Sequence, residues 1–190
     1  MYRMCTTEKS ALQQRKIEDT MISMMLEQDY EDITISELCQ RAGLSRKIFY
    51  RLFDKKGDVL DALLDHTFLD FMVYEADPGT AVGGLHSFFQ FFKDKKELLD
   101  ALQKSDLEYL LTDRAMDFVF QEDAARLRHF GADVDEFGRE IMLFYMNGVF
   151  SLVYDWHDRG YEKTVDQMCS LIMRLFSTAA VKSRAAPESW

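Results

Sequence analysis

Proline is nearly missing from this 190-residue chain, with only Pro78 and Pro187 present, and no stretch alternates apolar and polar residues as a half-buried strand would. Both absences exclude a β-rich architecture and leave an all-α protein. Cysteine is sparse, odd in number and widely spaced (Cys5, Cys39, Cys169), which excludes a disulfide framework. Cys39 and Cys169 fall on apolar helix faces and read as buried thiols in a reducing cytoplasm. No run of about eighteen apolar residues occurs, so no membrane span is expected. The first residues, Met1 to Lys9, lack the apolar stretch of a signal peptide.

Catalytic and metal-binding patterns are missing as well. His66, His86, His129 and His157 show neither i, i+4 pairing nor zinc-like spacing with cysteine. Gly79, Gly83 and Gly84 lack the lysine of a phosphate-binding loop, and no nucleophile elbow is present. Asp133-Val134-Asp135-Glu136 is similar to the start of a calcium loop, but Phe144 stands where the bidentate acid is required. It reads as an acidic first helical turn, which the helix dipole favours. No enzyme, metal site or cofactor is expected.

What remains is apolar, helical and unevenly charged. Hydrophobic residues make up 47% of the chain and aromatics 13%, enough for a full globular core. The net charge of −10 would argue against a nucleic-acid partner, yet it is not spread evenly. Residues 1–60 hold ten Lys/Arg and ten Asp/Glu, so the whole deficit lies beyond them. Within Ser45–Lys56 five cations (Arg46, Lys47, Arg51, Lys55, Lys56) face one anion, Asp54. A concentrated positive stretch of this kind is what phosphate binding requires.

That stretch sits inside a two-helix pattern at residues 33–53. Ser36 is expected to cap the first helix and Leu38, Cys39 and Ala42 to form its apolar face. Gly43 ends it, because glycine tolerates the left-handed conformation of a tight turn. Leu44 is the turn residue and Ser45 caps the second helix. Ile48, Phe49, Leu52 and Phe53 can pack inward while Arg46, Lys47, Tyr50 and Arg51 face outward. This is a helix-turn-helix, whose second helix enters the major groove.

From about Ile17 to Leu64 the sequence resembles the TetR-type bacterial transcriptional regulators. The resemblance is carried by Thr34-Ile35-Ser36, Ala42-Gly43-Leu44-Ser45, Tyr50, Phe53 and Lys56. Ser45-Arg46-Lys47-Ile48-Phe49-Tyr50 looks most like the subgroup that includes activators of dihydroxyacetone-kinase operons. Asp29 departs from the usual helix-ending glycine, and Gly57-Asp58 from the usual acidic pair. The resemblance implies operator DNA as a partner, with Arg46, Lys47 and Ile48 facing base edges; for Ile48, contact with a thymine methyl and burial are equal alternatives. It implies phosphate contacts from Ser36, Ser45, Tyr50 and Lys56, and either role for Arg51.

The chain divides into a DNA-binding part, residues 1–60, and a helical ligand-binding and dimerisation part, residues 61–190. A first helix is expected over Ser10–Gln28 with Leu12, Ile17, Met21, Met24 and Met25 inward, and a long helix from Asp58 with Leu60, Leu63, Leu64, Thr67, Phe68, Phe71 and Met72 in one stripe. Phe137, Ile141, Phe144, Gly148, Leu152 and Trp156 recur at helical spacing near the end, as do Val165, Met168, Ile172 and Phe176. These two stripes are too broad to cover only one small core, and the resemblance implies a homodimer built from the last two long helices. Phe88, Phe92, Tyr109, Phe118 and Tyr145 are candidates to line a pocket for a small apolar or aromatic effector. The alternative is a solid bundle that receives its signal from a partner protein.

Overall fold

The computed structural model describes residue 2 and residues 7–74, 81–120 and 138–184, with side chains except at 81–82, 118–120, 138 and 176–184. Among the described residues there are nine α-helices, a single 3-10 turn and no strand. In chain order the helices are α1 (Glu8–Glu27), α2 (Ile35–Arg41), α3 (Arg46–Leu52), α4 (Gly57–Val73), α5 (Ala81–Asp94), α6 (Lys96–Lys104), α7 (Glu108–Phe120), α8 (Gly138–Asp158) and α9 (Val165–Arg184), with the 3-10 turn at Tyr30–Asp32.

Helix α1 starts at a capping box in which Thr7 and Ser10 exchange side-chain and backbone hydrogen bonds. It buries Gln14, Ile17, Glu18, Met21, Met24 and Met25. Leu12, expected inward, lies half a turn from that stripe and is 66% exposed, because Gln14 and Glu18 take the inner positions. The buried Glu18 carboxylate meets His66 Nδ1 of α4 at 2.9 Å. Arg15 forms a two-pronged pair with Asp70 of α4 at 2.8 and 3.3 Å. A buried carboxylate is tolerable only when paired in this way. Helix α1 is thereby fixed against α4 on one side, and it packs along α6 on the other.

Helix α4 is continuous from the end of the helix-turn-helix into the C-terminal bundle, so a division at residue 60 falls within a helix. Its inner stripe runs from Val59 to Phe68, with Phe71 half-buried and Met72 exposed at the far end. There Phe68 and Phe71 enter a ring cluster with Phe88, Phe91 and Phe92 of α5 and Phe150 of α8, with centroids 4.8–6.4 Å apart. Arg114 of α7 bonds Asp61 and lies 3.4 Å from Asp65 on α4, and Asp65 also accepts the Tyr2 hydroxyl at 2.7 Å. Helix α9 packs chiefly on α5.

The last two helices differ in what they leave uncovered. One face of α8, with Met142, Met146, Val149, Phe150, Val153 and Trp156, is buried. The opposite side carries Ile141, 52% exposed, and Phe144, 80% exposed, together with Gly148, where an added Cβ would meet nothing within 4 Å. Leu152 is half-buried beside them. Val165, Met168 and Ile172, expected at a dimer interface, are buried within the subunit against α5. Their stripe is needed to cover the aromatic core, and Met173 and Leu175 are exposed apolar residues of α9 instead. Phe137 and the Phe176 side chain lie outside the described residues.

Candidate nucleic-acid interface

Local hydrogen bonding explains why residues 34–53 fold as two helices at a fixed turn. Thr34, not Ser36, caps α2: its hydroxyl accepts the Glu37 amide at 3.2 Å, and the Glu37 carboxylate accepts the Thr34 amide at 3.1 Å. The reciprocal pair needs an acid three residues after the cap, which Thr34 has and Ser36 lacks. Ser36 is an exposed residue of the first turn. At the other end Gly43 adopts φ +61°, the Leu44 amide donates to the Cys39 carbonyl at 2.9 Å, and the Gly43 amide donates to Gln40 at 3.1 Å. This is the glycine-terminated helix end that reverses the chain. Ser45 then caps α3, its hydroxyl accepting the Ile48 amide at 3.3 Å.

Phe49, Leu52 and Phe53 anchor α3 in the core, and the Phe49 and Phe53 rings lie 5.4 Å apart. Their spacing forces Arg46, Lys47, Tyr50 and Arg51 onto one exposed face. The Arg46 guanidinium lies 5.9 Å from the centre of the Tyr50 ring, an i, i+4 contact that steadies both. Ile48 is half-buried at the edge of this face and packs against the core. Arg51 donates to Gln13 of α1 at 2.7 Å. The exposed face therefore presents cations and hydroxyls on a rigid support, as groove binding requires.

Two residues behind this face set its orientation. Asp58 is buried, and its carboxylate accepts the amides of Asp54 at 2.9 Å and Lys55 at 3.2 Å, closing the α3–α4 corner. Burial alone would raise its pKa, but these and further interactions outweigh it and hold the carboxyl below its ordinary value. Its place in the sequence marks Asp58 as a helix start, and nothing in the pattern shows that its carboxylate turns back. Lys56 is the other. Its ammonium donates to the carbonyls of Tyr30 at 2.6 Å and Glu31 at 3.1 Å and lies 4.2 Å from the Tyr30 ring centre. Of three ammonium hydrogens, this leaves one at most for a phosphate. Burial pushes the Tyr30 hydroxyl up to about 12, so it stays neutral beside Lys56.

Of the residues expected to line an effector pocket, Phe88 and Phe92 lie together in the core. They are core rings 4.8 Å apart, and both contact Phe150. Tyr109 is 57% exposed. Tyr145 is half-buried on α8, its hydroxyl pushed up to about 12 by burial and, secondarily, by Cys169. The Phe118 side chain lies outside the described residues. Two open clefts lie on the N-terminal helices, one at Met24, Gln28 and Arg41 and one beside Leu12 and Leu44. Among the described residues no group of three His, Cys, Asp or Glu side chains could hold a metal, and no helix is long and apolar enough to cross a membrane.

Residues 19–63 match the family model described as "Bacterial regulatory proteins, tetR family". No curated protein sequence matches the chain. Among solved structures the chain is similar to a TetR-like transcriptional regulator from Rhodococcus sp. RHA1, at 14% identity and a TM-score of 0.52. That similarity covers 89% of this chain and 93% of the other, and it speaks to the fold. Residues 19–63 are thus similar to the N-terminal domain of the tetR family of bacterial regulatory proteins, and the chain shares the all-helical fold of a TetR-like regulator.

Proposed function

We propose that this protein is a transcriptional regulator that binds operator DNA as a homodimer, reading bases with α3 and holding phosphates with the turns around it. The observation that carries this reading is the exposed face of α3, where Arg46, Lys47, Tyr50 and Arg51 project from a helix capped by Ser45 and anchored by Phe49 and Phe53. Arg46 and Lys47 near the helix start are the base readers, and arginine suits guanine best. Ser36, Ser45, Tyr50 and Arg51 are the phosphate contacts, with Lys56 contributing one hydrogen at most. Residues 1–60 form the DNA-binding part and residues 61–190 the part that dimerises and receives a signal.

Dimerisation through α8 is supported by the apolar face at Ile141, Phe144 and Gly148, which none of the described residues covers. A twofold axis there would present two α3 helices to half-sites a helical turn, about 34–36 Å, or a multiple of it apart. The route from input to DNA runs along α4, which is tied to α7 by Arg114 and to the α3 corner by Asp58. A tilt of α4 would change the separation of the recognition helices and lose register.

The packed rings around Phe88 and Phe92 favour an input applied at the surface, from a partner protein, over an apolar effector inserted between them. This agrees with the resemblance of Ser45–Tyr50 to the subgroup that includes activators of dihydroxyacetone-kinase operons. Sequencing of genomic fragments captured by the purified protein tests the reading. It predicts enrichment of a short inverted repeat, and random recovery of fragments would refute it. A thermal-shift screen tests the input: an apolar metabolite that raises Tm and weakens fragment binding would restore the small-effector reading.

A further inference from the structure

Lysines and arginines on the N-terminal helices fall into two groups. Arg15 is held by Asp70, Arg41 by Glu27, and Lys56 by the Tyr30 and Glu31 carbonyls. Lys9 and Lys16 are exposed on the outer face of α1 and have no ion-pair partner among the described residues. They stand seven residues apart, two helical turns, with Leu12 between them on the same outward side, opposite the Ile17–Met21 stripe.

That face adjoins α3. The Lys16 ammonium lies 3.6 Å from the position a Cβ on Gly43 would take, at the turn between α2 and α3. Gln13, one residue on from Leu12, accepts Arg51 of α3 at 2.7 Å. Together Glu8, Lys9, Leu12, Gln13, Lys16 and Leu44 border an open cleft of about 410 Å³. It is a channel on the surface rather than an enclosed cavity, and Glu8 is its one anion. Lys16 thus brings a cation to the turn that leads into α3, whose exposed face carries Arg46, Lys47 and Arg51.

We propose that the DNA contact extends onto α1, where Lys9 and Lys16 hold the phosphate strand flanking the groove entered by α3. This rests on the DNA-binding reading above and adds two contacts to it. Seven residues of helix cover about 10 Å. Phosphates of one strand advance about 3.4 Å each along the duplex axis. The two ammonium groups therefore meet different phosphates, and each should release its own counterions. Phosphate contacts of this kind position the protein without reading sequence.

The test is fluorescence anisotropy of a labelled random-sequence 30-bp duplex between 50 and 200 mM salt, comparing wild type with the double variant Lys9→Gln/Lys16→Gln. Each lost phosphate contact should flatten the slope of log affinity against log salt by about 0.9, so about 1.8 per subunit and about 3.6 for a dimer. Lys9→Arg/Lys16→Arg should keep the wild-type slope, and Tm should not change because both side chains are exposed. Arg159→Gln/Lys163→Gln, the same charge change at the α8–α9 corner, should leave the slope near wild type. An unchanged slope in the Lys9/Lys16 variant, or an equal change in the Arg159/Lys163 control, overturns the proposal. If wild type itself shows no salt-dependent binding to the duplex, it is the DNA-binding reading that fails.

Discussion

Replacing Phe144 with alanine should separate the dimer without harming the subunit fold. Phe144 is 80% exposed on α8, so its ring adds little to the core of its own subunit. Burying a phenylalanine side chain contributes about 1.5–3 kcal/mol, and most of that is still available at this position. Across a twofold axis the residue occurs twice, so its removal should cost the dimer about 4 kcal/mol. That corresponds to a dissociation constant raised by about a thousandfold. Sedimentation equilibrium over a range of protein concentrations would read the change directly, with far-ultraviolet circular dichroism confirming an unchanged helix content. Gly148→Leu should act in the same sense, because an added Cβ meets none of the described atoms within 4 Å and the larger side chain would press on a partner packed there. A Phe144→Ala protein with the wild-type dissociation constant, or a wild type that is monomeric at micromolar concentration, would remove α8 from the account.

Two further substitutions separate support of the interface from contact with DNA. Lys56→Met removes two hydrogen bonds from a charged donor and should lower stability by about 1.5–3 kcal/mol in urea unfolding, while flattening the salt slope by at most about 1.8 for a dimer; a large slope change at unaltered stability would make it chiefly a phosphate contact. Asp58→Asn should destabilise the α3–α4 corner by about 1–3 kcal/mol at pH 7. Because the folded-state pKa of Asp58 is lowered, its stabilisation is present above the unfolded value near pH 4 and is lost as pH falls through the folded value. The gap in Tm between wild type and variant should therefore close below about pH 4, and a gap that persists there would show that the Asp58 charge is not what holds the corner.

How far the sequence alone carries depends on whether the deciding interactions are local. The helix-turn-helix was legible because its caps, its glycine and its inward residues act within a few positions of one another. Even there the choice between Thr34 and Ser36 as the cap rests on the reciprocal bond with Glu37, which spacing alone does not show. The long helix and the aromatic character of α5 also follow from spacing. The exposure of Leu12 does not, because Gln14 and Glu18 take inner positions beside the expected Ile17, Met21, Met24 and Met25, and Glu18 does so through His66 on a distant helix. Likewise Val165, Met168 and Ile172 form a stripe that would suit either a second subunit or α5, and only the packing of the bundle assigns them to α5. For the pocket candidates, periodicity says that Phe88 and Phe92 point inward, but not whether other rings already occupy the space they face.

The central claim is that α3 reads DNA sequence, and Arg46 offers the most direct measurement of it. Affinities of wild type and Arg46→Ala should be compared on a captured genomic fragment and on its single-base-pair variants, at one fixed salt concentration. Wild type should discriminate at a position in each half-site, and Arg46→Ala should lose about 1–3 kcal/mol of discrimination at that position while keeping it at the others. Arg46→Ala weakening every fragment equally would place Arg46 on a phosphate, and an affinity that does not change at all would contradict sequence reading by the exposed face of α3.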